Sequence, residues 1–396
     1  MRAVPDRRAL ACVMGDVVVL RALGLAGIPC AVVAEPGSPA RYSRFARVVL
    51  DWADAWDQPA ALLDLLERFG AAQPEPPVLF YDQDRDLLLL SRHRERLRRH
   101  FRFVMADAAL VENLVDKCGF AALAERLGLP VPRARTLDPR TDAVPNDLRF
   151  PLVLKPRVRR NDRWHAIAHG AKALQCDAPV TLFALWPRLA AASVPVLLQE
   201  LIPGPETRVE SYHVYVDERG ETVGEFTGRK IRTWPPAYGD STALVSTDAP
   251  DVAALGREVV RRLALRGVAK LDFKRAPNGA LHLLEVNPRF TLWHHLGARA
   301  GVNVPALVYG DLVGLPRPRV PSARLGVRWC RLWGDAAAAR AAGVPFLRWL
   351  AWALGCEAKR AVAWDDPMPF LGASLWQGVS RLLTPTPPAS RTAPAR

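Results

Sequence analysis

The segment Leu281-His282-Leu283-Leu284-Glu285-Val286-Asn287-Pro288-Arg289 holds the residue types best suited to chemistry. On a strand, side chains alternate, so Glu285 and Asn287 are expected on one face with Leu281 and Leu283. Two oxygen donors side by side suit Mg2+, a hard cation that keeps contact with substrate phosphates. Pro288 stops the strand, and Arg289 then offers a fixed guanidinium fork to a phosphate or carboxylate. Asp272, on the apolar run before it, is expected across a hairpin and on the same face. Lys155 ends the apolar strand Pro151–Pro156. Burying its stem there is costly unless an anion meets the ammonium. Further along, Gln199–Gly204 reads as a strand end with the polar pair Gln199-Glu200, broken by Pro203-Gly204, and Asp116-Lys117 sits on a helix before the Leu127–Pro132 break. Taken alone, the 281–289 segment is equally a surface hairpin with polar ends. The upstream lysines tip the reading toward an anion site.

These residues need a scaffold, and the chain is long enough to build one. Its 396 residues allow two or three domains. Half are hydrophobic and 24% charged, which excludes a wholly disordered chain. No apolar run approaches the ~20 residues of a membrane helix. No signal peptide is read, and a cytoplasmic protein is expected. Six scattered cysteines without a CxxC pair suggest reduced, buried thiols. The net charge is +14, yet only seven of the 54 basic residues are lysine. Where such a chain keeps lysine, the compact ammonium is needed, because arginine does not replace it at a tight phosphate site.

The pattern over 1–110 alternates strand and helix: Leu10–Met14, Val17–Ala26, Ile28–Ala34, Val48–Leu50, Pro59–Phe69 and Val78–Tyr81. That predicts a small parallel α/β domain. Asp107–Leu127 reads as one or two helices. From about 150 the pattern becomes α+β, with hairpins at Tyr212–Val216/Thr222–Phe226 and Gly267–Arg275/Ala280–Val286 around the helix Val252–Leu265. The tail 384–396 reads as disordered.

In order along 110–314, these segments resemble the ATP-grasp superfamily of ATP-dependent carboxylate ligases. Lys117 followed by Leu127-Gly128-Leu129-Pro130-Val131-Pro132 is similar to the family's first lysine and its following stretch, and Pro151–Pro156 to its second lysine strand. The resemblance implies an α/β N-terminal domain over 1–110 and, over 111–314, an α+β ATP-grasp fold whose two subdomains grip ATP. A mostly helical appendage over 315–383 follows. It implies ATP held by Lys117 and Lys155, adenine against Glu200, Leu201 and Ile202, and the ribose on Glu206, with Glu210 as its competitor. It implies Mg2+ (Mn2+ as a substitute) on Asp272, Glu285 and Asn287, with Arg289 and Lys155 catalytic. The segment Thr227–Lys230 with Pro235-Pro236 and Gly239 resembles the branch that includes D-aspartate ligases. Arg229 and Lys230 are its candidate substrate ligands. The implied reaction activates a carboxylate as an acyl phosphate and joins it to an amine, releasing ADP and phosphate. This chain departs from the family in one loop: Arg157–His169 carries Arg157, Arg159, Arg160 and Arg163, and no glycine precedes Gly170.

Two other classes stay open at this point. One is a silent ATP-binding sensor; the other, resting on charge alone, is a nucleic-acid-binding protein, for which no specific motif is found. His294-His295 either face the substrate or pack a helix start. The region 315–396 holds six of the twelve tryptophans and +8 of the charge. Its helical run Phe346–Leu354 either packs on the rest of the chain or meets a membrane surface.

Overall fold

The computed structural model describes residues 9–157, 162–360 and 363–374. The N-terminal part runs β1 (Ala11–Met14), α1 (Val17–Leu25), β2 (Cys30–Ala34), β3 (Ala46–Asp51), α2 (Pro59–Ala71), β4 (Val78–Tyr81), α3 (Asp84–Arg92) and the single turn α4 (Arg94–Leu97). β1, β2 and β4 are buried along their whole length, as strands covered on both faces must be. All pairs are parallel, in the order β3-β2-β1-β4. Strand order therefore reverses beside β1, and in such sheets ligands collect beyond the carboxyl ends at the reversal. Gly15, just past β1, has φ 143°. A Cβ there would lie 2.1 Å from the Asp82 carboxylate beyond β4, so only glycine lets the two strand ends come this close.

The helices α5 (Ala108–Val115) and α6 (Lys117–Arg126) lead into an antiparallel sheet. It is built from β5 (Ala134–Leu137), β6 (Leu152–Pro156), α7 (Asp162–Ile167), β7 (Leu174–Cys176), α8 (Pro179–Ala191) and β8 (Val196–Glu200), in strand order β5-β8-β6-β7. Asp116 caps α6 by accepting from the amides of Cys118 and Gly119 at 2.8 and 2.9 Å. One face of this sheet packs Leu152, Leu154, Val196 and Leu198 against Trp164, Leu182 and Leu189. By the pairing of β6 with β8, Val153, Lys155, Leu197 and Gln199 share the other face.

The third sheet is the largest. It comprises β9 (Val209–Val216), β10 (Thr222–Trp234), β11 (Asp240–Thr247), α9 (Pro250–Arg262), β12 (Gly267–Arg275), β13 (Leu281–Asn287), α10 (Trp293–Ala300), α11 (Val304–Leu312), β14 (Arg328–Cys330), α12 (Leu332–Ala341), α13 (Phe346–Leu354) and β15 (Ala358–Lys359). The order is β13-β12-β9-β10-β11-β14-β15. α9 covers one face over Tyr212, Leu271 and Phe273. On the other, Trp293 of α10 packs with Tyr215, Phe226 and Val268. The part of that second face beyond Phe226 and Lys270 looks toward β6 and β8.

Both expected hairpins are present. β10, however, runs on to Trp234 and pairs with β11, a strand absent from the sequence reading. The C-terminal region adds β14 and β15 to the edge of the large sheet besides its helices. It also returns to the first domain. Arg21 of α1, 1% exposed, donates to Asp366 at 2.9 Å and to the carbonyls of Lys359 and Arg360 at 2.7 and 2.8 Å. Asp366 is fully buried and accepts as well from the Ser43 hydroxyl and the Arg44 amide. The segment 384–396, expected to be disordered, lies outside the described residues.

Candidate active site

The hairpin β12–β13 sets Asp272 directly opposite Glu285, and Lys270 opposite Asn287. Directly opposed residues share a face. The register shifts between Asp272 and Phe273, which is opposite Leu283, so Leu284 is the extra residue of a bulge. This corrects one expectation: Leu283 and Val286 both enter the core under α9, whereas Glu285 and Asn287 point the other way. A bulge re-aims side chains in this manner. Asn287 donates its amide to Glu285 at 2.9 Å. Asp272, 2% exposed, accepts from the Ser211 hydroxyl on β9.

Lysines crowd this face. Lys270 lies 2.7 Å from Asp272 and 3.5 Å from Glu285. Lys230 stands 3.9 Å from both Asp272 and Glu206. Lys274, two residues beyond Asp272 and 6% exposed, feels Glu206 and Lys230. From the small sheet, Lys155 donates to Gln199 at 2.8 Å and lies in electrostatic range of Glu285, Glu206 and Lys274. Lys117 donates to the Pro156 carbonyl at 3.3 Å. Five of the seven lysines thus line one cleft between the small sheet and the large one. At its rim the Tyr238 hydroxyl meets Gln175 at 3.0 Å, and Lys172 meets Asp240.

The electrostatics follow from this crowding. Burial lowers the Lys155 pKa, against the pull of Glu285 and Glu206. Burial lowers Lys274 too, and Lys230 adds to the effect. At Lys270 burial is outweighed by Asp272 and Glu285, and its pKa is raised. At Glu285, whose side chain is 55% exposed, desolvation is outweighed by Lys270, a hydrogen bond with Asp272, Lys230 and the Asn287 amide, and the carboxyl is held below its usual range. The cleft therefore presents ammonium groups already matched to carboxylates, a charge balance that incoming phosphates and a metal can exchange.

Asp272, Glu285 and Asn287 offer hard oxygen donors, a set that fits Mg2+. Among the described residues no three His, Cys, Asp or Glu side chains group together for a metal, so the set depends on the Asn287 amide.

Several expected ligands fall elsewhere. Arg229 pairs with Glu210 across β9 and faces α9, opposite to Lys230, so it does not line the cleft. Glu210 is bound by Arg275 at 2.5 Å on that same reverse face, which leaves Glu206 as the acid at the cleft. The Glu200 carboxylate accepts from the Arg149 amide at 3.0 Å, off the face opposite to Lys155. Glu200 therefore offers the cleft main chain rather than charge. The amide of Leu201 donates to the Pro151 carbonyl at 3.0 Å, and Ile202 follows it as a half-buried residue. In the basic loop, Arg157 is tied to Asp116 at 2.8 Å and Arg163 to the Ala192 carbonyl at 3.3 Å. Arg159 and Arg160 lie outside the described residues. Arg289 reaches back to the first domain, donating to Asp84 and to the Asp82 carbonyl at 2.9 Å. His294 and His295 pack inside the start of α10.

Lys270, Lys274 and Ser211 are absent from the sequence reading. The alternation Lys270-x-Asp272-x-Lys274, in a chain so poor in lysine, was the signal for two of them.

Residues 192–332 match the family described as ATP-grasp in the biosynthetic pathway with Ter operon. The D-aspartate ligase of Enterococcus faecium (strain Aus0004) is 21% identical over 299 residues, 72% of this chain and 70% of that one. An ADP complex of N5-carboxyaminoimidazole ribonucleotide synthetase superposes with a TM-score of 0.62 at 16% identity, covering 82% of this chain and 81% of its own. An L-amino acid ligase from Bacillus licheniformis does so with 0.58 at 14%, covering 80% and 75%. The fold is that of the ATP-grasp proteins, a four-stranded antiparallel sheet facing a larger mixed sheet across a lysine-lined cleft behind a parallel α/β domain. The family match covers residues 192–332, and over a longer stretch the chain is similar to D-aspartate ligase.

Proposed function

We propose that the chain is an ATP- and Mg2+-dependent ligase that activates a carboxylate as an acyl phosphate and joins it to an amine. The observation that carries this reading is the convergence of five lysines and three oxygen donors at one cleft, with Arg289 in electrostatic range of Glu285. Val153 and Leu197, flanking Lys155 and Gln199 on the small sheet, form an apolar shelf for adenine, with the main chain of Glu200–Ile202 at its edge. Glu206, facing Lys230, takes the ribose. Lys155 and Lys117 meet the α- and β-phosphates. Asp272, Glu285 and Asn287 hold Mg2+, which supplies charge neutralisation for the phosphate oxygens. The acid's carboxylate attacks the γ-phosphorus, and ADP leaves. The amine then attacks the acyl carbonyl, and phosphate leaves. Both steps are governed by positioning and electrostatics. Arg289 meets the charge that grows on the transferring group. The buried free cysteines suit a cytoplasmic enzyme. The exposed Phe346, Leu347 and Leu354 of α13, beside Arg348, support a peripheral contact with an anionic membrane.

The test is product analysis with a panel of amino acids. ADP should appear only with the right carboxylate, and hydroxylamine should trap the activated acid as a hydroxamate. AMP as product would replace the acyl phosphate by an adenylate. Tight ATP binding with no ADP across the whole panel would make the chain a sensor.

A further inference from the structure

The parallel sheet has two edges, and the chain closes one of them. Beyond β4, the Arg102 amide donates to the Pro77 carbonyl at 2.9 Å, and the Arg102 carbonyl accepts from the Leu79 amide at 2.9 Å, so the chain itself extends that edge. β3, at the other end of the order, is bonded to β2. Among the described residues, 47–51 make no main-chain hydrogen bond outside the β2 ladder. In a parallel ladder about half the amides and carbonyls of an outermost strand point away from its neighbour, and such a row is a template for another strand. Arg47 is also the extra residue of a bulge, since Ala46 is opposite Cys30 and Val48 opposite Ala31. An extra residue is not held by the inner ladder.

The side chains of this edge alternate. Arg47, Val49 and Asp51 are exposed, whereas Val48 and Leu50 are half-buried. Val49 is 38% exposed and the Asp51 side chain 86%. Val49 and Asp51 lie opposite Val32 and Ala34, on the face that α1 covers. Arg47 lies in electrostatic range of Cys30, which belongs to the same face. Opposite charges thus flank one valine, two residues to either side. Run antiparallel against its own copy about Val49, the strand sets Arg47 opposite the partner's Asp51, Asp51 opposite the partner's Arg47, and valine on valine. Unlike charges directly opposed stabilise a strand pair, and like charges weaken it. Among the described residues Arg47 has no ion pair, and Asp51 is met by Arg41 alone, through Oδ1 at 3.0 Å. Oδ2 is left for a second guanidinium. Edges kept single are blunted with lysines or a proline. This edge instead matches its own copy at both ends, whereas a strand of uniform charge meets repulsion at one of them.

We propose that β3 is the docking edge for a second copy of this chain, the two β3 strands pairing antiparallel about a two-fold axis at Val49. Such a contact is isologous and closes on two copies. It joins two four-stranded sheets into one continuous sheet. The axis is perpendicular to the sheet, so the carboxyl ends of the two halves point in opposite directions and neither copy covers those of the other. A strand of six residues makes a short seam beside the ~800 Å² per partner of a standard interface. Association is therefore reversible and rises with concentration. It is independent of nucleotide and of the ligase reading.

Sedimentation velocity on the full chain, from low micromolar to several hundred micromolar protein, tests the edge. The mass should rise from one chain to two as concentration rises. Arg47→Glu and Asp51→Arg each set like charges opposite one another at both ends of the seam, and each should weaken dimerisation about tenfold or more. Both positions are exposed, so each variant should keep the fold, as circular dichroism would show. Mixed in equal amounts, the two variants should associate again, because each supplies the charge the other lacks. A structural loss in either variant would not be repaired by mixing. A single chain at every concentration overturns the proposal, and so does a dimer that both variants form as tightly as the unaltered protein. A mixture no more associated than its two components overturns it as well.

Discussion

Lys155 sits at a strand end where arginine, this chain's usual cation, would not fit the same contact with Gln199. A charge-assisted bond to phosphate contributes about 1.5–3 kcal/mol, so Lys155→Ala should weaken ATP binding roughly ten- to a hundredfold by calorimetry. Unchanged affinity would make Lys155 a strand-end lysine and nothing more. Glu285 and Asn287 point off the core, so Glu285→Gln and Asn287→Ala should keep the fold, seen by circular dichroism, while raising the Mg2+ needed for half-maximal turnover. Activity like that of the unaltered protein at low Mg2+ would remove the metal assignment. Arg289 differs from both. In the proposed reaction its fork meets charge that develops during phosphoryl transfer, and on that reading Arg289→Ala should lower kcat far more than it weakens ATP binding. Equal losses in the two would assign it to ground-state binding.

At the scale of elements, the seam between α10 and the large sheet is built on histidines. His213, on β9, stacks on Phe226 at 4.4 Å and lies 4.8 Å from Trp293. His213 and His294 are fully buried, and His295 is 1% exposed. Burial, with smaller contributions from His294 and Lys270, drives His213 well below its usual value. Burial lowers His294 to about 4 and His295 to about 3. In the unfolded chain each titrates near 6.5, so below that pH the unfolded state binds protons that the folded state refuses. Their contribution is complete above pH 6.5 and is lost as pH falls toward 4, by up to about 1.4 kcal/mol per pH unit for each histidine. Urea midpoints at pH 7.5, 6 and 5 should fall in that order, and His213→Phe should flatten the slope. A flat profile in the unaltered protein would contradict the assignment.

Elements were the most legible part of the sequence. α13 has the bounds expected of it, and the hairpin carrying Asp272 and Glu285 is where alternation put it. The bulge at Leu284 was not legible, because a bulge is defined by the partner strand and not by the strand that carries it. For the same reason simple alternation placed Glu285 with Leu283. β11 was missed because the preceding strand was read only to Phe226, whereas β10 runs on to Trp234 and turns back through residues 235–239. Arg229 was carried over from the resemblance and Glu210 stood as the competitor of Glu206, and one step of alternation sends each to the reverse face. The anchoring of Arg289 on Asp84 joins residues 205 apart, which no local pattern reports.

The whole molecule carries its positive charge mostly as arginine in surface pairs, such as Arg96 with Glu67 and Asp64, or Arg317 with Asp311 and Asp217. Pairs of this kind are individually weak. The Arg21–Asp366 contact is of another kind, with both partners shut from water. Removing one partner of a buried pair costs about 3–5 kcal/mol, because the other is left as an uncompensated charge. Asp366→Ala should therefore lower the denaturant midpoint strongly, and Arg21→Met combined with Asp366→Leu should recover most of the loss. Equal midpoints for Asp366→Ala and the unaltered protein would show that Arg21 finds water instead. No helix among the described residues is long and apolar enough to cross a membrane.

That contact also bears on how the protein is born. Arg21 lies on α1, and its partner Asp366 comes 345 residues later in the chain. At 5–20 residues per second, the nascent N-terminal sheet waits roughly 17–70 s before the chain delivers the carboxylate that closes its core. During that interval Arg21 lacks the Asp366 carboxylate, and any acidic segment nearby can compete for the contact. A ribosome stalled short of Asp366 would display a domain with all its strands and none of its finality. The arrival of Asp366, rather than the pairing of the parallel strands, decides when this domain is finished.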